Sequence, residues 1–215
     1  MPDKIIPFYG TAHPHLFAIE RRAMDKEGRV IDYLDPLLPS GMVLDIGAGN
    51  GYTAQKLTRP QRKVVALEPS ADMIDTQTTL PWVQSVAQEL PFPTDSFSGA
   101  YATWAYFFPT YHGYGQTGLD ELHRIVKPKH PLVIVDNAGD DEFCRLFERD
   151  IASDAQWWQA QGFERHIIHT HYQFDSMDEA EELLAFYWSN NGRAEKSHAQ
   201  LKIGYSVAVY TQESA

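Results

Sequence analysis

The chain has a single cysteine, Cys144, in 215 residues, which excludes an intramolecular disulfide framework and any thiolate metal cluster. No apolar run approaches the length that crosses a bilayer, and Met1-Pro2-Asp3-Lys4-Ile5-Ile6-Pro7 lacks the long apolar core of a signal peptide. A soluble, cytoplasmic protein is the expectation. Basic residues are few, 18 against 29 acidic, giving a formal net charge of −11 without any basic run. Attraction to nucleic-acid phosphates or anionic lipid is therefore not expected. The close basic pairs, Arg21-Arg22 and Lys127 with Lys129, read as solvated surface. Internal repeats, low-complexity tracts and Gly/Ser linkers are also missing. With 43% hydrophobic residues, the length suits one sizeable core rather than two. We expect a single domain over 1–215, with an arm and helix over 1–40, a core over 41–137, and C-terminal helices with an antiparallel hairpin over 138–215.

What is present centres on Val43-Leu44-Asp45-Ile46-Gly47-Ala48-Gly49-Asn50-Gly51. A buried apolar strand runs into an acid and then alternating glycines, after which Tyr52-Thr53-Ala54-Gln55-Lys56-Leu57 starts a helix. Without Cβ atoms such a turn accepts positive φ and lets backbone approach a ligand, while the next helix offers free N–H donors. A second buried strand, Lys63-Val64-Val65-Ala66-Leu67, ends at Glu68, about 20 positions after the turn, as a βαβ unit requires. An acid there can accept from both vicinal hydroxyls of a ribose. A nicotinamide-dependent oxidoreductase shares these features, but its fingerprint is G-x-G-x-x-G, whereas the glycines here fall at 47, 49 and 51.

The D-x-G-x-G-x-G arrangement resembles the first motif of the class I S-adenosylmethionine-dependent methyltransferases. The resemblance implies a Rossmann-like α/β fold: a doubly wound, mostly parallel seven-stranded sheet with an antiparallel last strand and helices on both faces. It also implies that Gly47, Ala48, Gly49 and Gly51 pack against the methionine part of S-adenosyl-L-methionine, that Asp45 sits near its amino group, and that Glu68 holds the ribose. An apolar residue of the turn after Glu68, Met73 or Ile74, is implied against the adenine. Leu90-Pro91-Phe92 with Ser96-Phe97 looks like the branch that includes the ubiquinone and menaquinone biosynthetic (type 11) methyltransferases. In that branch the residues just before the run, here Ala87 and Gln88, reach the adenine. Val86 stands where an acid is usual, which leaves Gln88 or a backbone carbonyl for the exocyclic amine. Thr103, at the tip of the fourth strand, completes the implied cofactor set. Arg124, Lys127 and Pro128 match the family's R-x-L-K-P-G-G passage, with Lys129-His130 in place of its glycines. The likeness is strong over 41–137, looser to 211 and negligible over the arm.

Elsewhere local signals set further expectations. Pro2, Pro7 and Pro14 predict an extended arm over 1–15. Leu16, Ile19, Ala23, Val30, Ile31 and Leu34 give a helical stripe broken by Gly28 and ended by Pro36, Pro39 and Gly41. A helix is expected from Ala71, a third strand over 82–87, a fourth over 99–103, and an amphipathic helix over 119–127. A fifth strand follows over 131–137, then a helix over 141–161 and a strand over 165–174. Ser176-Met177-Asp178-Glu179 is a capping box opening a helix, and the last strand covers 201–211. His169 and His171 alternate onto one face, but no third metal ligand lies at useful spacing.

The loop Trp104-Ala105-Tyr106-Phe107-Phe108-Pro109-Thr110-Tyr111-His112-Gly113-Tyr114 is rich in rings and lies where a parallel sheet binds ligands. It suggests an apolar or planar acceptor, or a cation held against ring faces. Tyr9, His13, Tyr106 and His112 are the polar groups placed to meet a methyl group, with His112 the choice of base. The leading reading is methyl transfer from S-adenosyl-L-methionine to a small, apolar or aromatic molecule, with neither nucleic acid nor membrane as partner. A nicotinamide-dependent oxidoreductase and a non-catalytic S-adenosylmethionine-binding protein stand as alternatives.

Overall fold

Short apolar runs bounded by glycine, proline or an acid become the strands of a twisted sheet in the computed structural model. It describes residues 9–105, 115–147, 150–191 and 199–214, with the backbone alone for Tyr9 and residues 188–191. Among the described residues the strands are β1 (Gly41–Ile46), β2 (Arg62–Leu67), β3 (Trp82–Val83), β4 (Ala100–Thr103), β5 (Pro131–Asn137), β6 (Glu164–Gln173) and β7 (Lys202–Glu213). Their order across the sheet is β3-β2-β1-β4-β5-β7-β6. The first five are parallel; β7 runs antiparallel to both β5 and β6. Because β1 pairs with β2 on one side and β4 on the other, the winding reverses there. The carboxyl ends of those strands are where a sheet of this winding receives a ligand.

Helices α1 (Tyr9–Ala12), α2 (Pro14–Ala23), α3 (Arg29–Leu37), α4 (Tyr52–Leu57), α5 (Gly115–Ile125), α6 (Ala155–Ala160) and α7 (Met177–Asn191) flank the sheet. Strand alternation divides the core between the two faces. Val43, Val64, Tyr101 and Val133 pack with Leu16, Ile19, Leu34, Leu57 and Leu183 on one face. On the other, Leu44, Leu67, Ala102 and Ile134 pack with Leu119, Leu122, Ile125 and Trp158. The foot of β2 is fixed by buried Arg62. Its guanidinium donates to Asp35 Oδ1 at 2.6 Å and to the carbonyls of Asp35, Leu38, Leu57 and Pro39, tying α3 to the sheet.

Several local expectations are corrected. Within the arm, residues 9–12 form α1 instead of extended chain, and Pro14 opens α2, because the first helical turn tolerates a residue without N–H. Of the residues expected to end the stripe, Pro36 lies in the last turn of α3, which stops at Leu37 ahead of Pro39 and Gly41. The helix expected from Ala71 is one 3₁₀ turn, Ala71–Met73, since Asp75 caps Gln77 N–H and takes the Thr78 hydroxyl in a competing turn. The third strand is only Trp82–Val83. The single helix expected over 141–161 is instead a 3₁₀ turn at Cys144–Leu146 and α6, each started by its own aspartate. Asp141 caps Cys144 N–H and Asp154 caps Trp157 N–H. Lys129 adopts φ +62° where the family passage has glycine, and its N–H donates to the Ser214 carbonyl. Among the described residues no helix is long and apolar enough to cross a membrane.

Candidate functional site

The crevice is floored by the turn after β1. Gly47 and Gly49 take φ +67° and +56°, and Gly51, at +79°, leads into α4. Space as well as φ requires glycine here: a methyl group on Gly47 would lie 2.4 Å from Ala105 Cβ. At Gly49 it would fall 3.5 Å from Phe17 Cζ and 3.8 Å from Met73 Cε, occupying the surface on which a ligand would rest. Ala48 N–H donates to the Leu67 carbonyl, and its own carbonyl accepts from Gly51 N–H, so the turn is braced against β2.

Two acids border this turn in different ways. Asp45 is fully buried on β1, and among the described residues neither of its oxygens has a hydrogen-bond partner. Burial pushes its carboxyl up to about 7, against relief from Tyr101 and the charge of Arg21 and a further push from Glu68. Tyr101 is its register partner on β4, yet that hydroxyl also falls short of a hydrogen bond. Glu68, 7% exposed at the end of β2, is anchored. Its Oε2 accepts from Gly49 N–H and its Oε1 from Ser70 N–H, both at 2.9 Å. Burial raises its pKa and the two N–H groups work against that. A carboxylate has about four lone-pair positions, so each oxygen keeps one for a ligand hydroxyl.

Met73 is buried beside Gly49, whereas Ile74 is only half-buried, so of the two the structure brings Met73 to the turn. Ala87 and Gln88 follow β3 in a half-buried loop, where Ala87 packs toward the face of Leu44 and Leu67. The Leu-Pro-Phe run after them is clamped from α5. Arg124 donates to the carbonyls of Phe92 and Leu90, and Glu121, paired with Arg124 at 2.6 Å, accepts from Leu90 N–H. Thr103 ends β4 opposite Val135. His112 and Tyr106 lie outside the described residues, and Tyr9 opens α1 with its side chain likewise outside them.

Two residues that the sequence reading did not place in the site, Phe17 and Arg21, join it. Phe17 and Arg21 sit one helical turn apart on α2, and Phe17 lies over Gly49. Arg21, read as solvated surface, is half-buried: its Cζ lies 5.1 Å from the Tyr52 ring centre and 5.3 Å from that of Trp104. Trp104 takes φ +52°, its N–H donates to the Val135 carbonyl, and its indole N–H donates to Tyr205 Oη. The available signal was the i, i+4 spacing of Phe17 and Arg21 beside the buried stripe Leu16, Ile19, Ala23. His169 Nδ1 is bonded to Ser206 Oγ, and no group of three metal ligands occurs among the described residues.

Residues 43–129 match the family model of a methyltransferase domain. In fold the chain is similar to an S-adenosylmethionine-dependent methyltransferase from Thermotoga maritima, at 18% identity and a TM-score of 0.61, over 96% of this chain and 97% of that one. It is also similar to such an enzyme from Aquifex aeolicus, at 16% identity and TM-score 0.59, covering 95% and 98%. The cyclase SpnF shares the fold as well, at 17% identity and TM-score 0.60, covering 96% and 94%. At these identities the likeness is one of fold. No curated protein matches the chain. The matched segment carries the glycine turn, Glu68 and the Leu-Pro-Phe clamp, and the sheet around it has the Rossmann-like fold of these methyltransferase neighbours.

Proposed function

We propose that this methyltransferase moves the S-adenosylmethionine methyl group onto a small apolar or aromatic acceptor. The residues present fit the donor: a buried carboxylate without a partner for an ammonium group, a turn a Cβ would obstruct, and a second carboxylate with lone pairs to spare. Asp45 would hold the amino group, Gly47 to Gly51 the methionine stem, Glu68 the ribose and Met73 the adenine. The bound sulfonium supplies an electrophilic methyl carbon.

The chain's own task is then alignment and exclusion of water. Orientation of an acceptor on the S–CH3 axis contributes roughly 7–11 kcal/mol, without a nucleophilic side chain. Arg124 and Glu121 hold the loop on the nucleoside side, and Phe17 covers the turn. Where an acceptor must lose a proton, we assign the base to His112, with Tyr106 and Tyr9 as polar neighbours, from their place in the sequence.

The observation that supports the acceptor class is a packed series of rings running from the tip of β4 into the core. Trp104 bonds Tyr205, whose ring lies 5.4 Å from Phe143; Phe143 in turn is 5.3 Å from Phe147, which is 5.6 Å from Tyr187. The test is turnover to S-adenosylhomocysteine across phenols, amines, thiols and quinols. Aromatic or apolar acceptors are expected to lead, and activity confined to strongly polar acceptors would sink this reading. Calorimetry provides a second arm. Binding of NAD with none of S-adenosylhomocysteine would favour the oxidoreductase, and donor binding without turnover of any acceptor the non-catalytic reading.

A further inference from the structure

Trp104 stands in a conformation that its side chain makes costly. Its φ of +52° lies in the left-handed region, where a bulky residue is an outlier and glycine or asparagine sits more easily. The ladder between β4 and β5 ends at Thr103 opposite Val135, and Trp104 N–H still donates to the Val135 carbonyl at 2.7 Å as the chain turns away. That turn lays Ala105 against Gly47 and leaves the indole half-buried between α2 and β7. Glycine would make the same bend without strain, so the ring is what the strain retains.

A brace from distant chain holds that ring. Its Nε1–H donates to Tyr205 Oη at 2.8 Å, the Tyr205 hydroxyl donates to Asn137 Oδ1, and Asn137 Nδ2–H donates to the Ile151 carbonyl at 3.0 Å. Asn137 is fixed in turn, its own carbonyl accepting from both the N–H and the hydroxyl of Ser153. An indole N–H only donates and an amide oxygen only accepts, so every bond in the series points one way and each strengthens the next. Tyr205 is 1% exposed, and burial holds its phenol well above the usual value, so its proton stays on the bond to Asn137. Tyr205 therefore orients the indole and does not titrate. Sheet order sets which side the indole occupies. With β1 between β2 and β4, Glu68 marks the nucleoside flank of the glycine turn, and Trp104 marks the opposite flank.

We propose that the Trp104 indole positions a planar acceptor by stacking, and that Tyr205 and Asn137 are positioning residues that act through it. The proposal rests on the methyl-transfer reading above and narrows its acceptor from apolar to planar. Arg21 takes one face of the indole, its Cζ 5.3 Å from the ring centre, and the other face is the one assigned to the acceptor. Asn137 and Tyr205 lie outside the segment that matches the methyltransferase family model, so the end of β5 and the C-terminal hairpin set acceptor choice through a single ring. A fixed aromatic face discriminates by the partner's π-surface, which a saturated ring of the same size does not offer.

The test compares rings of equal size: thiophenol with cyclohexanethiol, and aniline with cyclohexylamine. With S-adenosylmethionine as donor, kcat/KM is measured on wild type, Tyr205→Phe and Trp104→Leu, or Ki for a compound that is not turned over. Dividing each variant's value by that of wild type removes the intrinsic reactivity of the compound. Tyr205→Phe keeps the ring that packs 5.4 Å from Phe143 and deletes only the hydroxyl of the brace. In both variants the planar compounds are expected to lose about 3- to 10-fold, while the saturated ones, and S-adenosylhomocysteine affinity by calorimetry, stay within about twofold. Equal loss for planar and saturated compounds, or a parallel loss of S-adenosylhomocysteine binding, shows that these residues merely hold the fold and overturns the proposal. Unchanged values for the planar compounds overturn it too. If Tyr205→Phe does not fold, Trp104→Leu decides, since that side chain is half-buried at a strand tip. Wild-type turnover of the saturated compounds alone overturns the planar class and leaves methyl transfer standing. Turnover of no acceptor at all marks failure of the methyl-transfer reading itself, and the proposal falls with it.

Discussion

The carboxylate of Glu68 accepts a hydrogen bond of 2.9 Å from the backbone N–H of Gly49, so the tip of β2 holds the turn that follows β1. One side chain thereby shapes the glycine turn and presents the lone pairs assigned to the ribose. Glu68→Gln is nearly isosteric, but its amide nitrogen meets either Gly49 N–H or Ser70 N–H with a donor in place of an acceptor. We expect about 1–3 kcal/mol lower stability in chemical denaturation, together with about 10- to 100-fold weaker S-adenosylhomocysteine binding by calorimetry. Unchanged binding in a folded variant would remove Glu68 from the donor site.

Gly47 and Gly49 are expected to fail in different ways. An alanine at either carries about 1–2 kcal/mol of left-handed strain. At Gly47 its methyl would also sit 2.4 Å from Ala105 Cβ, so backbone must move at a further cost of about 1–3 kcal/mol. At Gly49 the nearest atoms, on Phe17 and Met73, are at ordinary contact distance. Gly47→Ala should therefore lose most in thermal stability, whereas Gly49→Ala should fold and lose donor affinity. Denaturation and calorimetry on the two variants separate these outcomes, and equal stability loss would contradict the packing argument.

Features that depend on neighbours in sequence were legible. The turn and the capping box at Ser176, where Glu179 N–H donates to Ser176 Oγ, each act within a few residues, and Glu68 is marked by its place at the end of a short apolar run. Features that depend on distant chain were not. Arg21 reads as surface because its partners arrive from α4 and the tip of β4, and a charged residue between Glu20 and Arg22 gives no hint of rings. The missing helix after Glu68 was hidden by the helical composition of Ala71 to Asp75, where the Asp75 side chain won the local competition. The Leu-Pro-Phe run was recognisable as a motif, but its reason is tertiary: Arg124 and Glu121 supply its hydrogen bonds from α5.

That clamp makes its own prediction. Arg124→Met keeps the aliphatic length but leaves the Leu90 and Phe92 carbonyls without their donor and Glu121 without its cation. The expected loss is about 1–3 kcal/mol of stability. Since the clamped loop follows the residues assigned to the adenine, KM for S-adenosylmethionine should rise severalfold while kcat stays near wild type, the pattern of lost uniform binding. Steady-state kinetics at saturating acceptor checks this, and a fall in kcat with constant KM would place the loop on the acceptor side instead.

Asp45 sets the pH dependence. Burial pushes its carboxyl up to about 7 in the folded chain, from the 3.8 of an ordinary aspartate, so the folded chain holds this proton more tightly than the unfolded one. This contribution to stability is fully present below about pH 4, is lost as pH rises through about 7, and then levels off, amounting to a few kcal/mol at most. Asp45→Asn should abolish that slope and leave the ligand-free protein more stable than wild type at neutral pH. Donor binding has the opposite requirement, because an ammonium group favours the ionised carboxylate. Binding below pH 7 must then expel a proton, and affinity should climb with pH until Asp45 is ionised in the free protein. Calorimetry at pH 6 in two buffers of different ionisation enthalpy measures that proton directly. A buffer-independent heat would mean that the amino group is received elsewhere and that Asp45 is a buried acid of the sheet alone.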